Sequence, residues 1–445
     1  MGFRGIVEQH HAPITVKLPI KSTSNFKDNE VDTANLIPLD ELVRTEVPEL
    51  TTGSTFYLNP FLFNGDLQTL YLNAADYSKT WSVQYGRRIV EYNHDGCLIK
   101  GGSSSADFVL PFESREEFKA KSDANPTPEG WPKQHPGIRF LTEEEISEQT
   151  SDDTKPLAIV CHGLGGGSHE PIIRCLTSSL FAKGFEVVVL NSRGCSRTKL
   201  STPELFYGLQ TDDLRQFVKE LRASYPNRPF YGVGFSFGAT ILTNYLGEEG
   251  AQSDFVASAT LSNPWDMVDS SYHLTSRFIS RQIFVPAITD ALTRLVKSNR
   301  AVLMQNEQFS EDKVHAKYHS PPEFDSTFTA PIYGFGTAFD YYRTASSVNR
   351  LLSVQTPMLI INSTDDPVVG VVSIPVAEAE VNPFLILAKT NIGGHLGYLQ
   401  YDLKSSWSVD RIVDFFVKFE EIVDVSKKPE TDYTPSVPIL FPRRS

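Results

Sequence analysis

The chain has 445 residues, with 41 Lys and Arg against 54 Asp and Glu, a formal net charge of −13, and 40% hydrophobic residues. That length suits one large α/β domain carrying insertions. The acidic balance and the absence of any Lys/Arg block argue against nucleic acid as a partner, and no stretch approaches the ~18 apolar residues of a membrane span.

Residues 1–50 are polar and acidic, as in "STSNFKDNEVDTAN", and are expected to form a partly disordered arm. The opening segment lacks the sustained apolar run of a secretory signal, which points to an intracellular protein. Residues 51–150 mix aromatics, Gly and Pro, with a strand-like "RRIVEY" and a Pro-rich surface loop at 124–137. They read as an extension packed on the main domain. From residue 151 to about 425 the pattern is α/β, and 426–445 form a tail. "LAIVC" (157–161), "EVVVL" (186–190), "PFYGV" (229–233), "ASATLS" (257–262), "MLIIN" (358–362) and "FLILA" (384–388) are short apolar runs fit for buried strands.

Helical spacing alternates with these strands. Ile172, Ile173, Leu176 and Leu180 share a face, with Ser168 as the expected cap. Leu214, Phe217, Val218 and Leu221 do the same behind Thr211, and Val409, Ile412, Val413 and Phe416 behind Ser408. The alternation predicts a mostly parallel sheet with helices on both faces. Residues 263–356 break the rhythm. Ile288, Leu292, Leu295 and Val296 suggest a helix there, and Phe339, Tyr341 and Tyr342 add aromatic surface. An insertion after a strand's carboxyl end is a natural lid.

"GFSFG" (234–238) lies between the strand 229–233 and a helix-like run. Gly-x-Ser-x-Gly in that setting is a nucleophile elbow, which makes Ser236 the candidate nucleophile and predicts the α/β-hydrolase fold. A serine hydroxyl needs a base, and the base needs an orienting acid. In this fold the order is Ser, acid, His. "INSTDDPVVG" offers Asp365 and Asp366 just past one strand, and Asp366, before the "PVV" turn, is preferred as the acid. "TNIGGHLGYL" places His395 past the next strand as the base. The oxyanion donors are expected to be the Leu164 and Phe237 backbone N–H groups, from "CHGLGGGSHE" and from the residue after the nucleophile. His162 precedes the serine and is expected to pack beneath that loop. Phe235 is a candidate for tuning an acyl pocket.

No metal or cofactor is expected. Cys97, Cys161, Cys175 and Cys195 lack zinc spacing, and three of them have apolar or helical surroundings. "GLGGG" lacks the Lys-Ser/Thr of a phosphate loop and the GxGxxG spacing. Two function classes follow: a serine esterase or acyltransferase, and a non-catalytic binding protein on the same fold. An intact Ser/Asp/His set favours the first.

"HGLGGGSHEPIIR", "NSRGCSRT", "GFSFGATILTNYLGEEG", "NPWD", "INSTDDPVVG" and "GGHLGYL" together resemble the YheT-like branch of α/β hydrolases. "FLFNGDLQTLYLNAADYSK", "EGWPKQHPGIRFL" and "TASSVNRLLSVQTP" are most similar to the yeast medium-chain fatty acid ethyl ester synthase/esterases. The resemblance runs from about residue 40 to 425. It implies acyl transfer from a medium-chain acyl-CoA co-substrate to ethanol, with ester hydrolysis as companion, through Ser236, Asp366 and His395. Monoacylglycerol lipase and general carboxylesterase activity are the alternatives. Peripheral contact with lipid droplets, endoplasmic reticulum or the mitochondrial outer membrane is the matching expectation.

Overall fold

A computed structural model describes residues 3–21, 35–92 and 101–435. Its strands are β1 (Arg4–His10), β2 (Lys17–Pro19), β3 (Leu36–Pro38), β4 (Thr55–Tyr57), β5 (Tyr85–Glu91), β6 (Ser103–Val109), β7 (Ile138–Phe140), β8 (Leu157–Cys161), β9 (Glu186–Asn191), β10 (Phe230–Phe235), β11 (Phe255–Leu261), β12 (Met358–Ser363) and β13 (Leu385–Thr390). Eleven form one sheet in the order β4-β1-β13-β12-β11-β10-β8-β9-β6-β5-β7, and β2 pairs with β3 apart from it. The six central strands, β8 to β13, run parallel. β6 and β1 join that block antiparallel on either side.

The apolar runs are buried on both faces, and the period-2 alternation of a strand divides them between two cores. Ala158 and Val160 face one core with Leu176 and Phe416, while Leu157 and Ile159 face the other with Phe217 and Leu246. The helices Pro171–Ala182 and Trp407–Ile422 cover the first face. Thr211–Ser224 and Phe237–Glu249 cover the second. The sheet order reverses direction between β8 and β10. That switch point opens a crevice at the carboxyl ends of the parallel strands.

Several expectations change. The arm is not free: β1 pairs with both β13 and β4 in the main sheet. Residues 22–34 of that arm, Cys97, and residues 436–445 of the tail lie outside the described residues. The segment 51–150 does more than pack on the core, because it supplies β4, β5, β6 and β7 to the sheet. β6 escaped a hydrophobicity reading because it begins Ser-Ser-Ser-Ala-Asp, yet all seven of its residues are buried. Its hydroxyls find partners in Ser201, Tyr92 and Thr198. Ser168 is not a helix cap. Its helix starts at Pro171, the proline preset for a first turn, and Ser168 instead bonds Asn191 and Asp107. Thr211 is the first residue of its helix and donates to Glu248 at 2.7 Å. Ser406, not Ser408, holds the N-cap position of the last helix, and its hydroxyl donates to the Gly397 carbonyl rather than capping.

Between β11 and β12 the insertion folds as helices, including Met267–Ser276, Val285–Ser298, Pro321–Thr327 and Ala338–Ala345. It lies over the carboxyl ends of the strands. Among the described residues, no helix is long and apolar enough to cross a membrane.

The extension is fastened by charge. The Arg87 guanidinium donates twice to Asp107 at 2.7 Å, and both side chains are fully buried. Asp107 also accepts from Asn191 and Ser168, so it ties β5 and β6 to the loop after β8. Asp107→Ala would strand a buried guanidinium, and we expect a loss of about 3–5 kcal/mol in urea unfolding. Replacing Arg87 and Asp107 together by Met and Leu should cost clearly less.

Candidate active site

The carboxyl ends of β8, β10, β12 and β13 converge on one point. Ser236 stands between β10 and its helix at φ 51°, ψ −119°, a conformation that non-glycine residues rarely adopt. The flanking glycines show what enforces it. A Cβ on Gly238 would lie 2.3 Å from the Cys161 carbonyl oxygen, and one on Gly234 would lie 2.5 Å from the Ala239 Cα. The helix folds straight back across the strand end, with no room for side chains at either position. The two phenylalanines part company there. Phe235 is fully buried among the β-sheet residues of the first core and does not border the cavity, so it has no place in an acyl pocket. Phe237 lines the cavity and meets Phe206 edge-on at 5.6 Å.

Ser236 Oγ donates to His395 Nε2 at 2.8 Å, and His395 Nδ1 donates to Asp366 Oδ2 at 2.8 Å. The side chain of Asp366 is fully buried. Its other oxygen accepts the Val368 and Val369 N–H groups at 2.7 and 2.9 Å. Asp365 has a separate task. Its Oδ1 accepts from Gly393 and Gly394 N–H at 2.9 and 2.8 Å and so holds the loop that carries His395. Burial pushes the Asp365 carboxyl above its ordinary range, and the Ser363 hydroxyl and those two amides pull it partly back.

Leu164 and Phe237 both border the same cavity as Ser236. Phe237 is the first helical residue, where backbone N–H groups lack helical partners. His162 is buried beneath the loop. Its Nδ1 donates to the Gly163 carbonyl at 2.7 Å, and its Nε2 accepts the Ser192 N–H at 3.0 Å. Burial drives this imidazole down to about 4, so it stays neutral.

Some site residues carry no recognisable signal. The helix Gly65–Ala74, from the extension, wedges against the His395 loop. Thr69 Oγ1 accepts the His395 N–H at 2.8 Å. A Cβ on Gly65 would lie 2.0 Å from the Asp365 carbonyl oxygen, and one on Gly394 would lie 2.4 Å from the Gly65 carbonyl oxygen. Within "FLFNGDLQTLYLNAADYSK" the glycine is the one residue that reflects this close approach.

The cavity measures about 510 Å³, within the range of small-molecule sites. The insertion contributes Leu274, Phe284, Leu292, Phe324, Tyr341 and Tyr342 to its wall. Phe339 turns away and stacks on Tyr272. A serine hydroxyl within reach of a carboxylate-oriented imidazole, at the floor of an apolar cavity, can accept an acyl group. Among the described residues no cluster of His, Cys, Asp and Glu could hold a metal ion.

Fold and site together define an α/β hydrolase. The family model for the alpha/beta hydrolase fold matches residues 156–383, and the chain belongs to that family. It is 41% identical to medium-chain fatty acid ethyl ester synthase/esterase 2 of Saccharomyces cerevisiae, over 92% of this chain and 96% of that one. It is 34% identical to the monoacylglycerol lipase of the same yeast, over 89% and 88%. Phospholipase ABHD3 of Mus musculus matches at 36%, over 56% and 59%. Family and relatives mark the chain as a hydrolase of the esterase kind.

The two neighbouring carboxylates should respond differently to neutralisation. Asp366→Asn would present an amide where His395 Nδ1 needs an acceptor, and we expect kcat to fall by up to about 10⁴-fold. Asp365→Asn keeps an oxygen for the Gly393 and Gly394 amides and should stay within about tenfold of wild type. Steady-state kinetics on a short chromogenic ester compare the two.

Proposed function

We propose that this chain is a serine acyltransferase/esterase. It forms medium-chain fatty acid ethyl esters from acyl-CoA and ethanol, and hydrolyses such esters, through an acyl-serine on Ser236. The observation that carries the reading is the 2.8 Å relay from Ser236 through His395 to Asp366 at the floor of an apolar cavity. The yeast ethyl ester synthase/esterase supplies the substrate class.

In this reading Ser236 Oγ attacks the thioester or ester carbonyl carbon as its proton passes to His395 Nε2. The carbonyl oxygen becomes an oxyanion, held by the Leu164 and Phe237 N–H groups. The C–S or C–O bond breaks, and the leaving group takes the proton from His395. Ethanol or water then attacks the acyl-serine, giving its proton to His395, and Ser236 recovers it as product leaves. The match to the yeast monoacylglycerol lipase favours a second reading, with glycerol as the leaving group. Exposed Phe278 and Ile279, beside the cavity-lining Ile283, support contact with a lipid surface.

The decisive assay sets octanoyl-CoA plus ethanol beside hydrolysis of ethyl octanoate and of monooctanoylglycerol. Ser236→Ala should lower all turnover by at least about 10⁴-fold and abolish fluorophosphonate labelling, with the fold intact by circular dichroism. Unlabelled wild type would instead favour the non-catalytic binding protein.

The apolar wall makes a further demand. Each buried methylene contributes about 0.8 kcal/mol, so kcat/KM should rise roughly threefold to fourfold per CH₂ until the cavity is full, then level or fall. A profile flat from acetyl to palmitoyl esters, measured below the critical micelle concentration, would show that the cavity does not hold the acyl chain.

A further inference from the structure

The loop Gly163–Gly167 has four glycines in five residues, and Gly165 lies at φ +68°. Such a segment is intrinsically pliant, yet an oxyanion donor must be fixed before reaction. On the protein side the loop is fastened well. The Ser168 N–H donates to Asn191 Oδ1 at 3.0 Å, and His162 Nδ1 donates to the Gly163 carbonyl at 2.7 Å. On the cavity side a carboxylate side chain reaches it.

That side chain is Glu170, at the foot of the helix Pro171–Ala182. It borders the cavity shared by Ser236 and His395. Its own N–H donates to the Gly167 carbonyl at 3.1 Å, which seats the helix start against the loop. The carboxyl group lies flat on Gly166: a Cβ there would be 2.3 Å from its carbon and 2.3 and 2.4 Å from its two oxygens. The titratable groups that face it are His395 and Cys195.

We propose that Glu170 is a positioning residue for the oxyanion hole: seated in the cavity with its carboxyl group against Gly166, it holds the loop so that the Leu164 N–H points at the developing oxyanion. The inference rests on the acyl-serine reading above. Burial pushes the Glu170 carboxyl up to about 7, so both protonation states occur near neutrality. Either state keeps the same planar group against Gly166, and so does a glutamine.

The test compares Glu170→Ala, Glu170→Gln, Gly166→Ala and the double variant Gly166→Ala/Glu170→Ala with wild type, on p-nitrophenyl octanoate. Displacing a reacting group by about 1 Å can cost about 10²-fold. We expect Glu170→Ala to lower kcat about 10- to 100-fold with KM within twofold. Inhibition by an alkylboronic acid, which mimics the tetrahedral state, should weaken by a similar factor. Glu170→Gln should recover to within about threefold of wild type. Gly166→Ala, which pushes the carboxyl off the loop from the other side, should reproduce the Glu170→Ala defect. The double variant should be no worse than Glu170→Ala, because the new methyl then has room. Gly166→Ala also keeps the question open to measurement if Glu170→Ala fails to fold. Unchanged kcat in Glu170→Ala and Gly166→Ala, or a Gln variant as poor as Ala, would overturn the inference while wild-type turnover leaves the acyl-serine reading standing. A wild type that turns over no acyl ester would sink that reading, and this inference with it.

Discussion

One constraint governs the site: the chain must reverse at a single residue, from the end of β10 into a helix packed directly on the end of β8. The Ser236 N–H donates to the Leu261 carbonyl at 2.9 Å, so the apex is tied to β11 as well. Glycine on both sides lets the backbone pass within reach of Cys161 and His162. A serine in that turn cannot relax into helix or strand. Its hydroxyl therefore stands clear of the backbone, where His395 reaches it.

The same close packing distributes work among neighbours. Asp366 faces the imidazole, and Asp365, one residue earlier, faces the loop that carries it. Alternation along the chain end past β12 sends the two carboxylates to different targets. Adjacent acids are thus a division of labour rather than a redundancy. The helix Gly65–Ala74 completes the arrangement by filling the space under the His395 loop, with Thr69 accepting the His395 N–H. The site is built from both ends of the chain.

Much of this was legible in the residues. Apolar runs marked all six parallel strands, because a strand buried on both faces has little freedom in composition. Positions past strand ends marked Ser236, Asp366 and His395, because chemistry at the edge of a parallel sheet has few places to stand. The illegible parts are of two kinds. β6 is a polar run whose serines and aspartate are satisfied by partners some 12 to 100 residues away in sequence. Nothing local announces those partners. β1 and Glu170 are the other kind, ordinary residues whose importance comes only from what a distant segment does beside them.

The pairing of β1 with β13 bears on how the molecule is made. The Ile6 N–H donates to Asn391 across 385 residues of sequence, and Val7 pairs with Thr390. Contacts of that span are the slowest to form, because the whole intervening chain must first be brought together. β13 is also the strand that launches His395. The first strand of the sheet thus buttresses the strand that leads to His395, so loosening β1 should reach the Ser236–His395 contact through β13.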